Sequence, residues 1–380
     1  MATTLHLRSE CKPLEHRSAL TPTTTKALLD AGYKVNVEKS PERIFDDSEF
    51  EAAGATLVPE GSWVDAPADH IIIGLKELPE DSFALKHTHV QFAHCYKGQG
   101  GWQDVLSRFP QGGGTLLDLE FLTDDTGRRV AAFGYHAGYA GAALAIEAWA
   151  HQLKNPSAKS MPAVSSYANQ DLLLDDVRSQ MAEGEKIAGH TPRVLVIGAL
   201  GRCGRGAVDL CKQAGIPDEQ ILKWDMAETA KGGPFGEIVE SDIFVNCIYL
   251  SDPIPPFINK ESLSSEKRRL SVVCDVSCDT TNPHNPIPIY TENSTFSNPT
   301  LPVPGYDNPP LCVISIDHLP SLLPREASEA FSHALLPSLL SLKDRKTTRV
   351  WQQAEELFNS KVATLPEALR GAWQRVTGSA

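Results

Sequence analysis

Val194-Leu-Val-Ile-Gly198-Ala-Leu-Gly201-Arg-Cys-Gly204-Arg-Gly206-Ala207 decides the fold of the second half of the chain. Four apolar residues without polar alternation suit a parallel strand covered on both faces. The glycines that follow allow backbone to approach a diphosphate closely. A helix opening there offers unpaired N–H groups and the positive end of its dipole. Gly198, Gly201 and Gly204 stand in a G-x-x-G-x-x-G spacing, one residue longer in the first gap than the usual dinucleotide pattern, so context must support it. Asp225 lies 21 residues beyond Gly204, at the end of the next apolar run. A carboxylate there binds ribose hydroxyls and repels a 2′-phosphate, which favours NAD over NADP, with Lys223 and Lys231 softening the preference. The competing reading is a strand, glycine turn and helix that bind nothing.

The alternation extends outward in both directions. Strands are expected at Arg193–Ile197, Gln220–Lys223, Ile243–Cys247, Ser271–Cys274 and Cys312–Ile316. In the first half they are expected at Leu5–Arg8, Tyr33–Glu38, His70–Leu75, Val90–Ala93 and Gly114–Phe121. Helices fall between them, one opening at Thr21-Pro22 and others over Ser48–Gly54 and Gly101–Phe109. This is an α/β chain with two mainly parallel, doubly wound sheets. Gly138, Gly141 and the alanines of Ala137–Leu153 predict a helix pressed against another backbone, and a second helix is expected over Tyr167–Ile187. Residues 280–310, dense in Pro, Asn, Ser and Thr, predict a long functional loop. After Pro324 the chain reads as helical over 326–342, 348–359 and 366–376, and this segment is expected to pack back on the first half.

At 380 residues the chain has room for two domains. The 35 Lys and Arg against 48 Asp and Glu leave a net charge of −13, which argues against non-specific binding to nucleic acid or anionic membrane. An anionic ligand would therefore need a locally basic pocket. No apolar run approaches the roughly 20 residues of a membrane span, and the N-terminus lacks the pattern of an export signal. The eight cysteines form no C-x-x-C, and Cys274/Cys278 lack a second pair at zinc spacing. They read as reduced intracellular thiols, with no metal expected.

The chemistry-bearing groups of the first half gather at expected strand ends, where ligands sit in open parallel sheets. Gly74-Leu-Lys76-Glu77 ends one strand with a lysine, and Phe92-Ala-His94-Cys-Tyr-Lys97-Gly-Gln99 ends another with a histidine. A lysine beside a dry sheet end releases its proton more easily, and histidine titrates near neutrality. Together they could move protons around a C–N bond. The bland alternative is a surface lysine and a capped strand-end histidine. Arg8, Lys12 and Arg17 follow the first strand, where Arg17 could simply pair with Glu15. Asp118, Glu120, Arg128 and Arg129 read equally well as a solvated face. Asp317-His318 follows the last strand and reads as facing a cleft or as a loop cap. No Ser-His-Asp order or G-x-S-x-G is present.

The sequence resembles the NAD-dependent, lysine-forming saccharopine dehydrogenases of the alanine dehydrogenase and transhydrogenase-like superfamily. The resemblance covers nearly the whole chain. It rests on Leu7-Arg-Ser-Glu10 with Glu15-His-Arg17, Gly74-Leu-Lys-Glu-Leu-Pro79, Phe92–Gln99, Gly127-Arg-Arg-Val-Ala-Ala-Phe133, Gly198–Ala207 and Ile316-Asp-His-Leu319. It implies two Rossmann-like domains with an interdomain cleft. The substrate domain would take residues 1–134 plus the helical segment 325–380, and the NAD domain 135–324. The implied reaction is oxidation of saccharopine by NAD, with water, to L-lysine and 2-oxoglutarate. No nucleic acid or membrane partner is implied, and a monomer is expected.

By the same resemblance, Lys76 and His94 match the acid–base pair. Arg17, Gln99, Arg128 and Phe133 match substrate-binding positions, and Lys97 and Glu120 match neighbouring ionisable groups. Gly198, Gly201, Arg202, Cys203, Gly204, Asp225, Thr229, Tyr249, Val276, Ile316, Asp317, His318 and Leu319 match cofactor positions. Cys203 and Cys247 match a cysteine pair able to form a disulfide beside the dinucleotide turn. Some relatives end in a peroxisomal tripeptide, whereas this chain ends Gly378-Ser-Ala380, so a cytoplasmic location is expected. Two other readings stay open. One is an alanine dehydrogenase-like enzyme that uses ammonia. The other is an NAD-binding sensor with a dead site, against which the retained Lys76/His94 pair argues.

Overall fold

The structure is a computed structural model. It describes residues 2–371 and Trp373, apart from Lys159, Ser251, Asp279, Thr281 and Asn282. Residues 1–132 with 324–380 form one compact unit and residues 133–323 another.

The first unit is built on strands β1 (Thr4–Leu7), β2 (Lys34–Glu38), β3 (Thr56–Val58), β4 (Ile71–Ile73), β5 (Thr88–Gln91) and β6 (Thr115–Asp118). They form one six-stranded sheet in the order β3-β2-β1-β4-β5-β6. Every pairing is parallel, so all carboxyl ends lie along one edge. Ile71-Ile-Ile73 is buried at every position, as its uninterrupted apolar run requires. Helix α1 (Pro22–Asp30) starts on the expected cap. Thr21 accepts from the Thr24 N–H, Thr24 bonds back, and Pro22 holds the first helical position. Helices α2 (Asp47–Ala52) and α3 (Trp102–Gly112) complete the crossovers.

The second unit opens with α4 (Gly134–Lys154), buried along most of its length, followed by α5 (Gln170–Ala188). Strand β7 (Val194–Ile197) runs through the glycine turn into α6 (Arg202–Ala214). A Cβ on Gly138 would strike the Cys203 carbonyl, and one on Gly206 would strike the Tyr135 carbonyl. The tight helix expected from Gly138 is therefore α4 crossing α6 backbone to backbone. Strands β8 (Ile221–Trp224), β9 (Ile243–Asn246) and β10 (Val272–Asp275) follow, with short helices α7 (Met226–Thr229), α8 (Gly236–Val239) and α9 (Lys260–Leu263).

The loop expected over 280–310 is not all loop. Leu301–Asp307 is strand β11, antiparallel to β12 (Pro310–Ile314), and the sheet order is β11-β12-β10-β9-β7-β8. Pro302, Pro304 and Gly305 disguise it. An edge strand tolerates them because half its N–H groups need no partner in the sheet.

The chain then returns to the first unit through α10 (Pro324–Leu340) and α11 (Arg349–Val362). Phe358 packs edge-on against Phe109 of α3, and the Ser328 hydroxyl accepts from the Ser18 N–H. Over the expected last helix the described residues include a short 3₁₀ turn, Glu367–Leu369, while Ala372, residues 374–376 and the chain end lie outside the described residues. Among the described residues no helix is long and apolar enough to cross a membrane.

Candidate active site

The carboxyl edge of the first sheet gathers the ionisable groups of the first unit. Lys76 and Glu77 leave β4, His94 and Lys97 leave β5, Glu120 leaves β6, and Glu15 and Arg17 lie on the segment after β1. Lys76 is drawn below the usual lysine range, first by burial and then by the Arg17 charge, with Lys12 adding and Glu15 and Glu77 opposing. His94 and Glu77 are hydrogen-bonded through Nδ1 and Oε1. Burial alone would raise Glu77, but the His94 bond and its charge hold it down at about 2. The same bond raises His94 against the pull of burial. His94 has φ +49°, the left-handed region that a non-glycine residue occupies only when its surroundings require it. Its ring stacks on Phe92, with centroids 6.3 Å apart.

Arg17 is buried, and Glu15 takes its fork: Nε donates to Oε1 at 2.8 Å and Nη2 to Oε2 at 2.7 Å. Burial would raise Glu15, yet the Arg17 charge and bonds keep it low. The pairing expected by default is real, but it is a buried bidentate pair rather than a surface one. Glu120 is lowered against burial by Lys97, whose Nζ sits 2.6 Å from Oε1, and by Arg129 at 3.2 Å. Arg128 is exposed in the Asp124–Arg129 turn, and the guanidinium brought to Glu120 is that of Arg129. Gln99 accepts from the Lys97 N–H at 2.9 Å, and Phe133 caps α4 as the first residue of the second unit. Asp118, raised by burial to about 6, accepts from the Ala93 and Glu120 N–H groups and so ties the ends of β5 and β6 together.

Sequence reasoning gave no role to Glu77, Asp118 or Arg129. For Glu77 the signal was present, since a carboxylate directly follows the lysine. For Arg129 only the turn geometry distinguishes it from Arg128.

In the second unit the glycine turn has the predicted form. Gly198 has φ +85°, and its N–H and that of Ala199 donate to the Trp224 carbonyl. A Cβ on Gly204 would collide with the Gly198 carbonyl, so the helix start is pressed on the strand end. Gly201 caps α6 with no side-chain hydrogen bond, which suits the start of this 13-residue helix to an anionic ligand. Asp225 ends β8. One oxygen accepts from Leu200 N–H in the glycine turn at 3.1 Å and the other from Met226 at 2.9 Å. Thr229 bonds back to the Asp225 carbonyl. Lys223 and Lys231 are committed to Asp218 and Glu237, each at 2.5 Å, which weakens their claim on a 2′-phosphate. Tyr249, Val276 and Ile316–Leu319 follow β9, β10 and β12 on the same edge, and Tyr249 is 62% exposed. Cys203 and Cys247 are free thiols in hydrogen-bond contact, and that bond and burial push Cys247 up. Arg202 opens α6 beside Cys203. The packed glycine cradle, the uncapped helix and the strand-end carboxylate fit NAD. Among the described residues no group of three or more His, Cys, Asp or Glu could hold a metal ion.

Two such units define the class: an α/β dinucleotide-binding protein whose first sheet carries ionisable groups at its strand ends. Residues 6–140 match the family model "Alanine dehydrogenase/PNT, N-terminal domain". The fold is similar to that of an L-alanine dehydrogenase, with TM-score 0.63 and 16% identity over 94% of this chain and 93% of that one. A transhydrogenase from Sinorhizobium meliloti gives TM-score 0.58 and 17% identity over 89% and 94%. Much nearer in sequence are proteins named saccharopine dehydrogenase [NAD(+), L-lysine-forming]. The Neurospora crassa protein is 69% identical over 96% of this chain and 98% of its own length. That of Schizosaccharomyces pombe is 61% identical over 95% and 99%. The chain belongs to the NAD-dependent, L-lysine-forming saccharopine dehydrogenases.

Proposed function

We propose that the chain oxidises saccharopine with NAD and water to L-lysine, 2-oxoglutarate and NADH, with Lys76 and His94 as its acid–base groups. Family membership supports the reaction. The observation that supports the residues is the linked set Lys76, Glu77 and His94 at neighbouring strand ends. Gly198, Gly201, Arg202, Cys203, Gly204, Asp225, Thr229, Tyr249, Val276 and Ile316–Leu319 would hold NAD. When bound, NAD supplies the acceptor for a hydride.

Protons are the protein's work. Saccharopine is a secondary amine, and its nitrogen must be neutral before hydride can leave the adjacent carbon. Lys76 Nζ takes that proton, since burial and Arg17 disfavour its charged form. His94 serves the hydrolysis. Glu77 can only accept, so Nδ1 carries the hydrogen toward it and Nε2 is left to exchange protons. Nε2 takes a proton as water adds to the imine carbon, and it returns one to the departing lysine nitrogen. Glu77 stabilises the charged ring between these events.

Saccharopine carries three carboxylates, and guanidinium forks match their shape. Glu15 holds Arg17 through Nε and Nη2, and the guanidinium so placed would face a substrate carboxylate. Arg128, Lys97, Gln99, Glu120 and Phe133 complete the proposed contacts. The chain would act as a monomer in the cytoplasm, where its eight free thiols stay reduced. Formation of NADH with saccharopine, and not with alanine, tests the assignment. Equal or faster turnover of alanine would refute it.

A further inference from the structure

Resting on the assignment of Lys76 above, we infer that Glu10, backed by Arg8, is a positioning residue that holds the Lys76 backbone and thereby aims its side chain. The sheet stops short of Lys76. Gly74 N–H still pairs with the Val90 carbonyl at 3.0 Å, but β4 itself ends at Ile73. Glu10 replaces the missing ladder. Its Oε1 accepts from the Leu75 N–H at 2.7 Å and its Oε2 from the Lys76 N–H at 2.9 Å. Arg8 closes the other side. Nη2 donates to the Lys76 carbonyl, while Nη1 donates to Glu10 Oε2 at 3.3 Å and to the Ser9 carbonyl at 3.0 Å. Both backbone polar groups of Lys76 are thus held by side chains.

The strand end is shaped around this clamp. Arg8 is 1% and Glu10 9% exposed, and a Cβ on Gly74 would run into the Arg8 guanidinium. An ion pair buried this deeply adds little stability over an apolar pair. Its geometric effect is specific, because it fixes the point from which a flexible side chain reaches its target. Displacement of a reacting group by about 1 Å can cost about a hundredfold in rate. The charged groups around the Lys76 ammonium are Lys12, Glu15 and Arg17 from the segment after β1, Glu77 beside it, and His94 from the segment after β5.

Glu10→Gln tests this. The amide keeps one acceptor and presents an NH₂ group where the second N–H needs an oxygen. The expected kcat with saccharopine falls about tenfold or more, while the NAD dissociation constant from fluorescence quenching stays near wild type; the melting temperature falls, because the buried Arg8 loses its counter-charge. Loss of the Glu10 charge leaves Arg8 unopposed beside Lys76, so the lysine limb of the kcat/KM profile moves to lower pH. Glu10→Gln added to Lys76→Met causes no further loss. Wild-type kcat in Glu10→Gln, or a loss that multiplies on Lys76→Met, overturns the inference. Wild-type turnover in Lys76→Met alone removes the assignment beneath it, a separate result. Should Glu10→Gln fail to fold, Glu10→Asp carries the test by the same criteria. It keeps the charge for Arg8 but is one methylene too short to reach both N–H groups.

Discussion

Glu77 and His94, seventeen residues apart in sequence, are hydrogen-bonded side chain to side chain across two adjacent strand ends. The contact sets the tautomer of the ring, lowers the carboxylate and raises the imidazole. It makes Glu77 the group that tunes His94.

Glu77→Gln should let His94 fall back toward its ordinary value. The histidine limb of the kcat/KM profile then shifts to lower pH, with turnover reduced about tenfold. The pair also links stability to pH. Glu77 is depressed, so its share is present above about pH 4.3 and lost as pH falls toward about 2. His94 is raised, so its share is present below about pH 6.5 and lost as pH rises through its folded value. A Glu77→Gln enzyme with an unshifted profile would show that the contact does not tune the ring.

Asp225→Ala removes the ribose partner, the acceptor of the Leu200 N–H and the cap of α7 together. KM for NAD should rise about tenfold, and the preference for NAD over NADP should narrow. Steady-state kinetics with both nucleotides check this. An unchanged cofactor ratio would place the discrimination elsewhere.

Gly206→Ala drives a methyl group into the Tyr135 carbonyl where α4 crosses α6. Overpacking of this kind costs about 1–3 kcal/mol. Denaturant unfolding should register the loss, and an unchanged midpoint would mean that the two helices separate freely.

The buried histidines should make the chain sensitive to mild acid, opposed by Asp118 and Glu147, whose values burial raises to about 6 and about 8. His89 is wholly buried among Trp63, His87 and Phe109, and burial holds it well below the usual histidine range. Burial lowers His136 to about 4. Both stay neutral when folded, so the unfolded chain binds more protons below about pH 6.5. Their contribution is complete above that pH and declines toward about pH 4, by up to about 1.4 kcal/mol per pH unit for each group. Melts at about pH 7 and about pH 5 should differ less in His89→Phe than in wild type. An equal difference would assign the acid sensitivity to other groups.

Legibility in the sequence followed physical range. Ile71–Ile73 and Val194–Ile197 announce buried parallel strands because each residue is apolar, and Thr21-Pro22 announces its helix because capping is local. Strand β3 is three residues long and carries too little pattern, and β11 hides behind prolines that only an edge permits. Lys76 and His94 were readable as candidates because strand ends are where open sheets bind ligands. Glu10 was not, because a side chain that grips backbone 65 residues away leaves no periodic trace. Arg17 was readable as a cation, but its burial against Glu15 depends on how the segment after β1 folds.

The central claim is that Lys76 and His94 carry the protons. Turnover of saccharopine in Lys76→Met and His94→Gln, measured beside the NAD dissociation constant of each, tests it most directly. Each variant should lose about 10²–10⁴-fold in kcat while binding NAD nearly as tightly as wild type. Wild-type turnover in both, or a loss confined to NAD affinity, would contradict it.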